Sequence, residues 1–207
     1  MRRLLLLLPI VVLLVGCGGD SGGGKRETMD CTIGGDESKA TLATFEEDKT
    51  YTVAVKTNKG DFTFDLATKI SPCTTASFAG LVDKGFFDGL TFHRIVPGFV
   101  IQGGDPAGNG TGGPGYWVVD EPPSDTTYDK GVVAMAKAGT DPAGTSGSQY
   151  FVVTADGVDL PPEYAVLGKV TNGIDVVEKI GRLGDPNDPR GTPTARIVME
   201  KVQVTSG

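Results

Sequence analysis

The first sustained alternation of apolar and polar side chains begins at Thr52. Thr52-Val53-Ala54-Val55-Lys56-Thr57 and Asp61-Phe62-Thr63-Phe64-Asp65-Leu66 flank Asn58-Lys59-Gly60. A period of two on both sides of a short turn predicts a β-hairpin, with Gly60 supplying the turn. Ser71-Pro72 then opens a segment that carries Ala76, Phe78, Ala79, Leu81 and Val82 and is closed by Gly85. Ser at the N-cap, Pro in the first turn and Gly beyond the last predict a helix. Strand-like runs follow at residues 99–102, 131–136, 150–154 and 164–170. A short helix is predicted over residues 174–180, where Ile174, Val177 and Ile180 share one face ahead of Gly181. Alternation returns over residues 195–204 as a closing strand. Many strands, two helices and no βαβ rhythm predict a mainly β fold, a closed barrel or a sandwich.

Upstream of Tyr51 the pattern is different. Arg2 and Arg3 precede an uninterrupted apolar run over residues 4–15. A membrane-spanning helix needs roughly 20 such residues, so this run reads as a secretory signal. It ends in Leu14-Val15-Gly16-Cys17, which is similar to the lipobox of bacterial lipoproteins. That resemblance implies that residues 1–16 are a lipoprotein signal peptide and that the Cys17 thiol carries lipid. It also implies export, with anchoring to the cell membrane and the folded domain on the extracytoplasmic side. Residues 17–49 are polar and begin rich in Gly and Ser, the composition of a flexible tether. Residues 50–205 remain as the folded domain.

Composition narrows the partners. The chain of 207 residues carries 31 Gly and 13 Pro, which suits turn-rich β structure. Its formal charge of −7 becomes −9 once Arg2 and Arg3 are lost with the signal. Such an acidic protein offers no electrostatic footprint for a phosphate backbone, so nucleic acid is excluded as a partner. Cys31 and Cys73 are the remaining cysteines, and an even pair in an oxidising compartment is expected to bond. A reactive thiol or a metal site is the alternative. No CxxC is present and the single histidine is His93, so no metal is expected and His93 reads as structural.

The chemistry lies in one long segment, Phe92-His93-Arg94-Ile95-Val96-Pro97-Gly98-Phe99-Val100-Ile101-Gln102-Gly103-Gly104-Asp105. It resembles the signature of the cyclophilins. Asn109-Gly110-Thr111-Gly112-Gly113, Thr145-Ser146-Gly147-Ser148-Gln149-Tyr150-Phe151 and Tyr164-Ala165-Val166-Leu167-Gly168-Lys169-Val170 match further blocks in the same order. The resemblance covers about residues 50–205. It implies a closed eight-stranded antiparallel barrel capped by two helices, and peptidyl-prolyl cis/trans isomerisation without a cofactor. The implied partners are proline-containing unfolded or exported polypeptides, met by a monomeric enzyme that assists their folding.

Turning an Xaa-Pro bond costs about 18–20 kcal/mol because resonance holds the amide flat. No bond is broken, so the reaction needs no nucleophile, base or metal. A guanidinium aimed at the prolyl nitrogen localises its lone pair, and Arg remains charged at any physiological pH. By resemblance that donor is Arg94, with Gln102 donating to the substrate carbonyl and holding Arg94. The resemblance also implies that Phe99, Val100, Phe151 and Leu160 line the proline-ring pocket and that Gln149 belongs to the pocket. Ala136 and Lys137 lie on the strand edge that binds substrate backbone. The sequence departs from the family at three places. Asp159 stands where cyclosporin-sensitive members have Trp, Tyr164 where many have His, and Lys137 where many have Asn.

Rival readings have weaker support. Gly108-Asn109-Gly110-Thr111-Gly112-Gly113 satisfies G-x-G-x-x-G, but Pro114-Gly115 follows at once and leaves no helix to receive a phosphate. Asp185-Pro186-Asn187-Asp188-Pro189 lacks EF-hand spacing and reads as a solvated loop. A non-catalytic module or chaperone that docks proline peptides would need only the apolar groove, without Arg94 and Gln102. A hydrolase would have to build its triad on His93, and no Gly-x-Ser-x-Gly elbow supports it, since Gly19-Asp20-Ser21-Gly22-Gly23 falls in the Gly/Ser-rich tether.

Overall fold

A computed structural model describes residues 30–207. The expected signal segment and Cys17 lie outside the described residues. The strands are β1 (Ile33–Gly35), β2 (Tyr51–Thr57), β3 (Gly60–Leu66), β4 (Phe92–Val96), β5 (Val100–Gly103), β6 (Tyr116–Val119), β7 (Val132–Met135), β8 (Thr145–Ser146), β9 (Tyr150–Val153), β10 (Val166–Asn172) and β11 (Met199–Ser206). Two helices, α1 (Pro72–Asp83) and α2 (Ile174–Gly181), complete the set.

Eight strands form one antiparallel sheet in the order β11-β2-β3-β10-β7-β9-β5-β4. The predicted hairpin is its β2–β3 pair, with Val55 opposite Phe62 and Val53 opposite Phe64. The expected closed barrel is corrected to an open half-barrel. Its end strands β4 and β11 are not paired with each other, and the chain just before each of them meets through an isolated bridge between Thr91 and Val198. The reason lies on the free edge of β4, where the Ile95 N–H donates to Gly191 O at 2.7 Å. The loop following α2 thus takes the place that a closing strand would need.

The concave side of this sheet holds the main core. Phe64, Phe78, Phe87, Phe92 and Tyr150 are buried there with Ile101, Val152 and Met199. The Phe78 and Tyr150 rings meet edge to face, centroids 5.5 Å apart, a geometry favoured by the ring quadrupoles. Burial pushes the Tyr150 phenol far up, and its hydroxyl reaches Met199 Sδ at 2.9 Å.

Helix α1 begins where Ser71-Pro72 predicts, but Ser71 does not cap it. Its hydroxyl is buried without a partner. The Thr74 N–H instead donates to Asp120 Oδ2 at 2.6 Å, a cap brought from beyond β6. The helix is buried all round from Cys73 to Val82 because the chain before β2 covers its outer side. Ala43 N–H donates to Ala76 O at 2.9 Å, and a side chain at Gly80 would collide with Thr41 O.

That covering alters the expected tether. Within residues 30–49, β1 pairs antiparallel with β6, and β6 pairs with β8 in a second, small sheet. Ala40, Leu42 and Phe45 pack against the main core. The expected disulfide is present, with Cys31 and Cys73 Cα atoms 5.7 Å apart, and it fastens this segment to the start of α1. The ordered unit therefore begins well before residue 50.

Candidate active site

The two faces of the sheet have different jobs, and β5 and β9 show why. Side chains alternate along a strand. Ile101, Tyr150 and Val152 point into the core, whereas Val100, Phe151 and Val153 belong to a separate apolar cluster on the other face. Phe99, Leu160 and Tyr164 pack onto that outer cluster.

Register sets the polar groups beside it. Arg94 on β4 is paired with Gln102 on β5, Gln102 with Phe151 on β9, and Phe151 with Ala134 on β7. A single row across four strands thus runs from a guanidinium to an apolar wall. Arg94 Nη1 donates to Gln102 Oε1 at 3.3 Å, and Gln102 Nε2 donates to Gln149 Oε1 at 3.0 Å. Gln149 Nε2 in turn donates to the carbonyls of Gly110 and Gly112, at 3.0 and 2.9 Å. This relay fixes both the amide of Gln102 and the position of Arg94.

Arg94, Phe99, Val100, Gln102, Ala136, Lys137, Phe151, Leu160 and Tyr164 line one open pocket of about 230 Å³. Gln149 stands apart. It lines a neighbouring depression of about 490 Å³ over residues 110–117, which shares Gln102, Ala136 and Lys137 with the first. Asp159 is exposed beside Leu160 and does not line the pocket.

The turn that follows β5 is also built for position. Gly104 has φ +83°, and the Ser148 carbonyl lies where its Cβ would stand. The Ser148 hydroxyl donates to Gly104 O at 2.7 Å. Burial alone would raise the Asp105 pKa, but N–H donors from Ala107, Gly110 and Asn109 hold it below the usual carboxylate range. A buried carboxylate thereby organises the Gly-rich loop that reads as G-x-G-x-x-G.

His93 is next to Arg94 yet lines neither pocket. Both ring nitrogens are buried with no hydrogen-bond partner among the described residues, and burial pushes the imidazole below its ordinary pKa. That shift favours the neutral imidazole near pH 7.

Two residues of the site escape sequence reasoning. Tyr128, in the loop before β7, donates its hydroxyl to Tyr164 O at 2.7 Å and accepts from Tyr164 N–H at 2.9 Å. Glu163 forms an ion pair with Lys137, Nζ to Oε2 3.0 Å. Neither sits in a periodic pattern that could have marked it.

A fixed guanidinium beside a pocket walled by Phe99, Val100, Phe151 and Leu160 is compatible with a proline-peptide enzyme, and comparison gives the class. Residues 52–204 match the family described as cyclophilin type peptidyl-prolyl cis-trans isomerase/CLD, and the chain belongs to that family. It is a peptidyl-prolyl cis-trans isomerase of the cyclophilin type. Peptidyl-prolyl cis-trans isomerase B of Bacillus subtilis is 45% identical over 118 residues, spanning 56% of this chain and 80% of that protein. Peptidyl-prolyl cis-trans isomerase-like 1 of Neurospora crassa is 37% identical over 156 residues, 73% of this chain and 93% of the relative. The crystal structure of a Cryptosporidium parvum cyclophilin type isomerase superposes with a TM-score of 0.69 at 31% identity. That superposition covers 76% of this chain and 99% of the other.

Proposed function

We propose that this isomerase acts on proline-containing segments of exported, unfolded polypeptides, as a monomer held at the membrane by lipid on Cys17. The observation that carries the catalytic part is the Arg94–Gln102 pair at the lip of the 230 Å³ apolar pocket. In this reading the prolyl ring sits against Phe99, Val100, Phe151 and Leu160, where burial of its methylenes supplies affinity at about 0.8 kcal/mol each. Ala136 and Lys137 present backbone to the extended substrate. The guanidinium donates toward the prolyl nitrogen, withdrawing the lone pair from the amide as it twists. Gln102, with its amide oriented by Gln149, keeps that donor aimed. A donor positioned for the twisted state and not for the planar one lowers the barrier without tightening substrate binding.

A related crystal structure of the Cryptosporidium parvum isomerase in the presence of the dipeptide Ala-Pro, 32% identical to this chain, supports a small proline peptide as ligand. The cellular part of the proposal rests on the sequence: the basic start, the short apolar run and Leu14-Val15-Gly16-Cys17. In this reading acyl chains on Cys17 hold the protein at the membrane. Fractionation of cells producing the full chain tests it. Cys17→Ser should move the protein from the membrane to the soluble fraction, and a variant that stays detergent-dependent would contradict the anchor.

A further inference from the structure

An ammonium group removed from water is costly unless its donors are met. The Lys137 side chain is 3% exposed, the most buried cation in any ion pair among the described residues. Its partners account for that burial. Nζ lies 3.0 Å from Glu163 Oε2 and donates to Asp141 O at 3.1 Å. It also lies 5.6 Å from the centroid of the Tyr164 ring, within cation–π range.

Each partner belongs to a different part of the groove's frame. Asp141 closes the turn after β7, where the Ala138 N–H donates to its Oδ2 at 3.0 Å and its own N–H returns to Ala138 O at 3.0 Å. Glu163 lies in the loop that carries Leu160, and its carbonyl accepts from Gly144 N–H at 2.8 Å. Tyr164 is a wall of the proline pocket, and Lys137 lines both depressions. The lysine thus joins the end of β7 to the two loops that bound the site. Its ammonium is held within this frame.

We propose that Lys137 is a positioning residue: its ammonium clasps Glu163, Asp141 and the Tyr164 ring, and so sets the affinity of the pocket for the prolyl ring without taking part in the twist. This rests on the reading that the pocket receives that ring. The clasp is absent from the reacting atoms, so its loss should raise KM and spare kcat.

The test is isomerisation of a short Ala-Pro peptide by the full chain, with kcat and KM resolved for Lys137→Met, Glu163→Ala, the double variant and Phe99→Ala. Lys137→Met keeps the apolar stem and should raise KM about three- to tenfold, with kcat within about twofold. Glu163→Ala should act in the same direction, and the double variant should be no worse than Lys137→Met alone, because the two residues act as one unit. Lys137→Arg should recover part of the affinity through its retained charge. If Lys137→Met fails to fold, the half-exposed Glu163 supplies the decisive variant. An unchanged KM in the folded Lys137 or Glu163 variant, a loss confined to kcat, or additive effects would overturn the clasp. If Phe99→Ala also leaves KM unchanged, the pocket reading fails with it; if Phe99→Ala alone raises KM, only the clasp is refuted.

Discussion

The Tyr128 hydroxyl both donates to the backbone carbonyl of Tyr164 and accepts from its N–H, at 2.7 and 2.9 Å. One phenol thus satisfies two backbone groups of a loop residue that would otherwise lack a strand partner. Burial, helped by the neighbouring Tyr164 and Glu163, raises the Tyr128 pKa, so the hydroxyl keeps the proton this arrangement needs. Tyr128→Phe should cost about 1–3 kcal/mol, since two partly buried groups lose their partner while packing is kept. Urea unfolding should show a lower midpoint at unchanged slope, and peptide KM should rise as the Tyr164 wall loosens. Wild-type stability in this variant would mean that the loop is held by other contacts.

The Cys31–Cys73 disulfide closes a loop of sequence separation 42 and clips the segment bearing β1 to α1. Replacing both cysteines by serine should lower stability by about 2–4 kcal/mol through the freed unfolded chain. Isomerase activity should persist well below the new midpoint, because neither cysteine lines the pocket. Alkylation of unreduced protein should label neither thiol. Two reactive thiols, or an unshifted denaturation midpoint, would contradict this role.

His93 supplies a pH signature. Its pKa is depressed from 6.5 in the fold, chiefly by burial and further by the Arg94 charge, against the pull of Asp105. The unfolded chain therefore binds the proton first as pH falls below about 6.5, and the stability of the neutral form is progressively lost down to the folded pKa. Asp120 works in the opposite sense, its pKa raised by burial despite the Thr74 N–H, but nearer the carboxylate range. His93→Asn should flatten the dependence of the urea midpoint between pH 7.5 and 5. An equally steep dependence in the variant would assign it to other groups.

Much of this architecture can be read from side-chain order. The β2–β3 hairpin, α1, α2 and the core strands β5, β7, β9 and β10 announce themselves because each buries one face or both. β6 and β8 do not, being short and set among Gly, Pro and Ser, where no period can build. The segment ending at residue 49 reads as tether because it is polar, and its few apolar residues, Cys31, Ile33, Leu42 and Phe45 among them, are too scattered to mark the surface it covers. The barrel's opening is invisible too, since it depends on loop carbonyls, Gly191 O among them, meeting the edge of β4. At the site, the ordered motif from Phe92 to Asp105 supplies Arg94, Phe99, Val100 and Gln102, which the fold brings around one pocket. Motif matching places Lys137 on the substrate edge but says nothing of its side chain, whose direction is set by Glu163 and Asp141 from distant turns.

In the proposed mechanism Arg94 provides the rate and the pocket walled by Phe99, Val100, Phe151 and Leu160 the binding. Loss of one preorganised donor typically costs about 2.7–4 kcal/mol, roughly a hundred- to thousandfold in rate. Arg94 is only partly buried and its side-chain partner among the described residues is Gln102, so the fold should survive its removal. Arg94→Lys should restore little, because an ammonium lacks the planar fork that reaches substrate and Gln102 together. The most direct measurement is kcat for an Ala-Pro peptide with Arg94→Ala, on protein shown by circular dichroism to be folded. The account predicts a fall of about a hundredfold or more with KM little changed; near-normal turnover by the folded variant would contradict it.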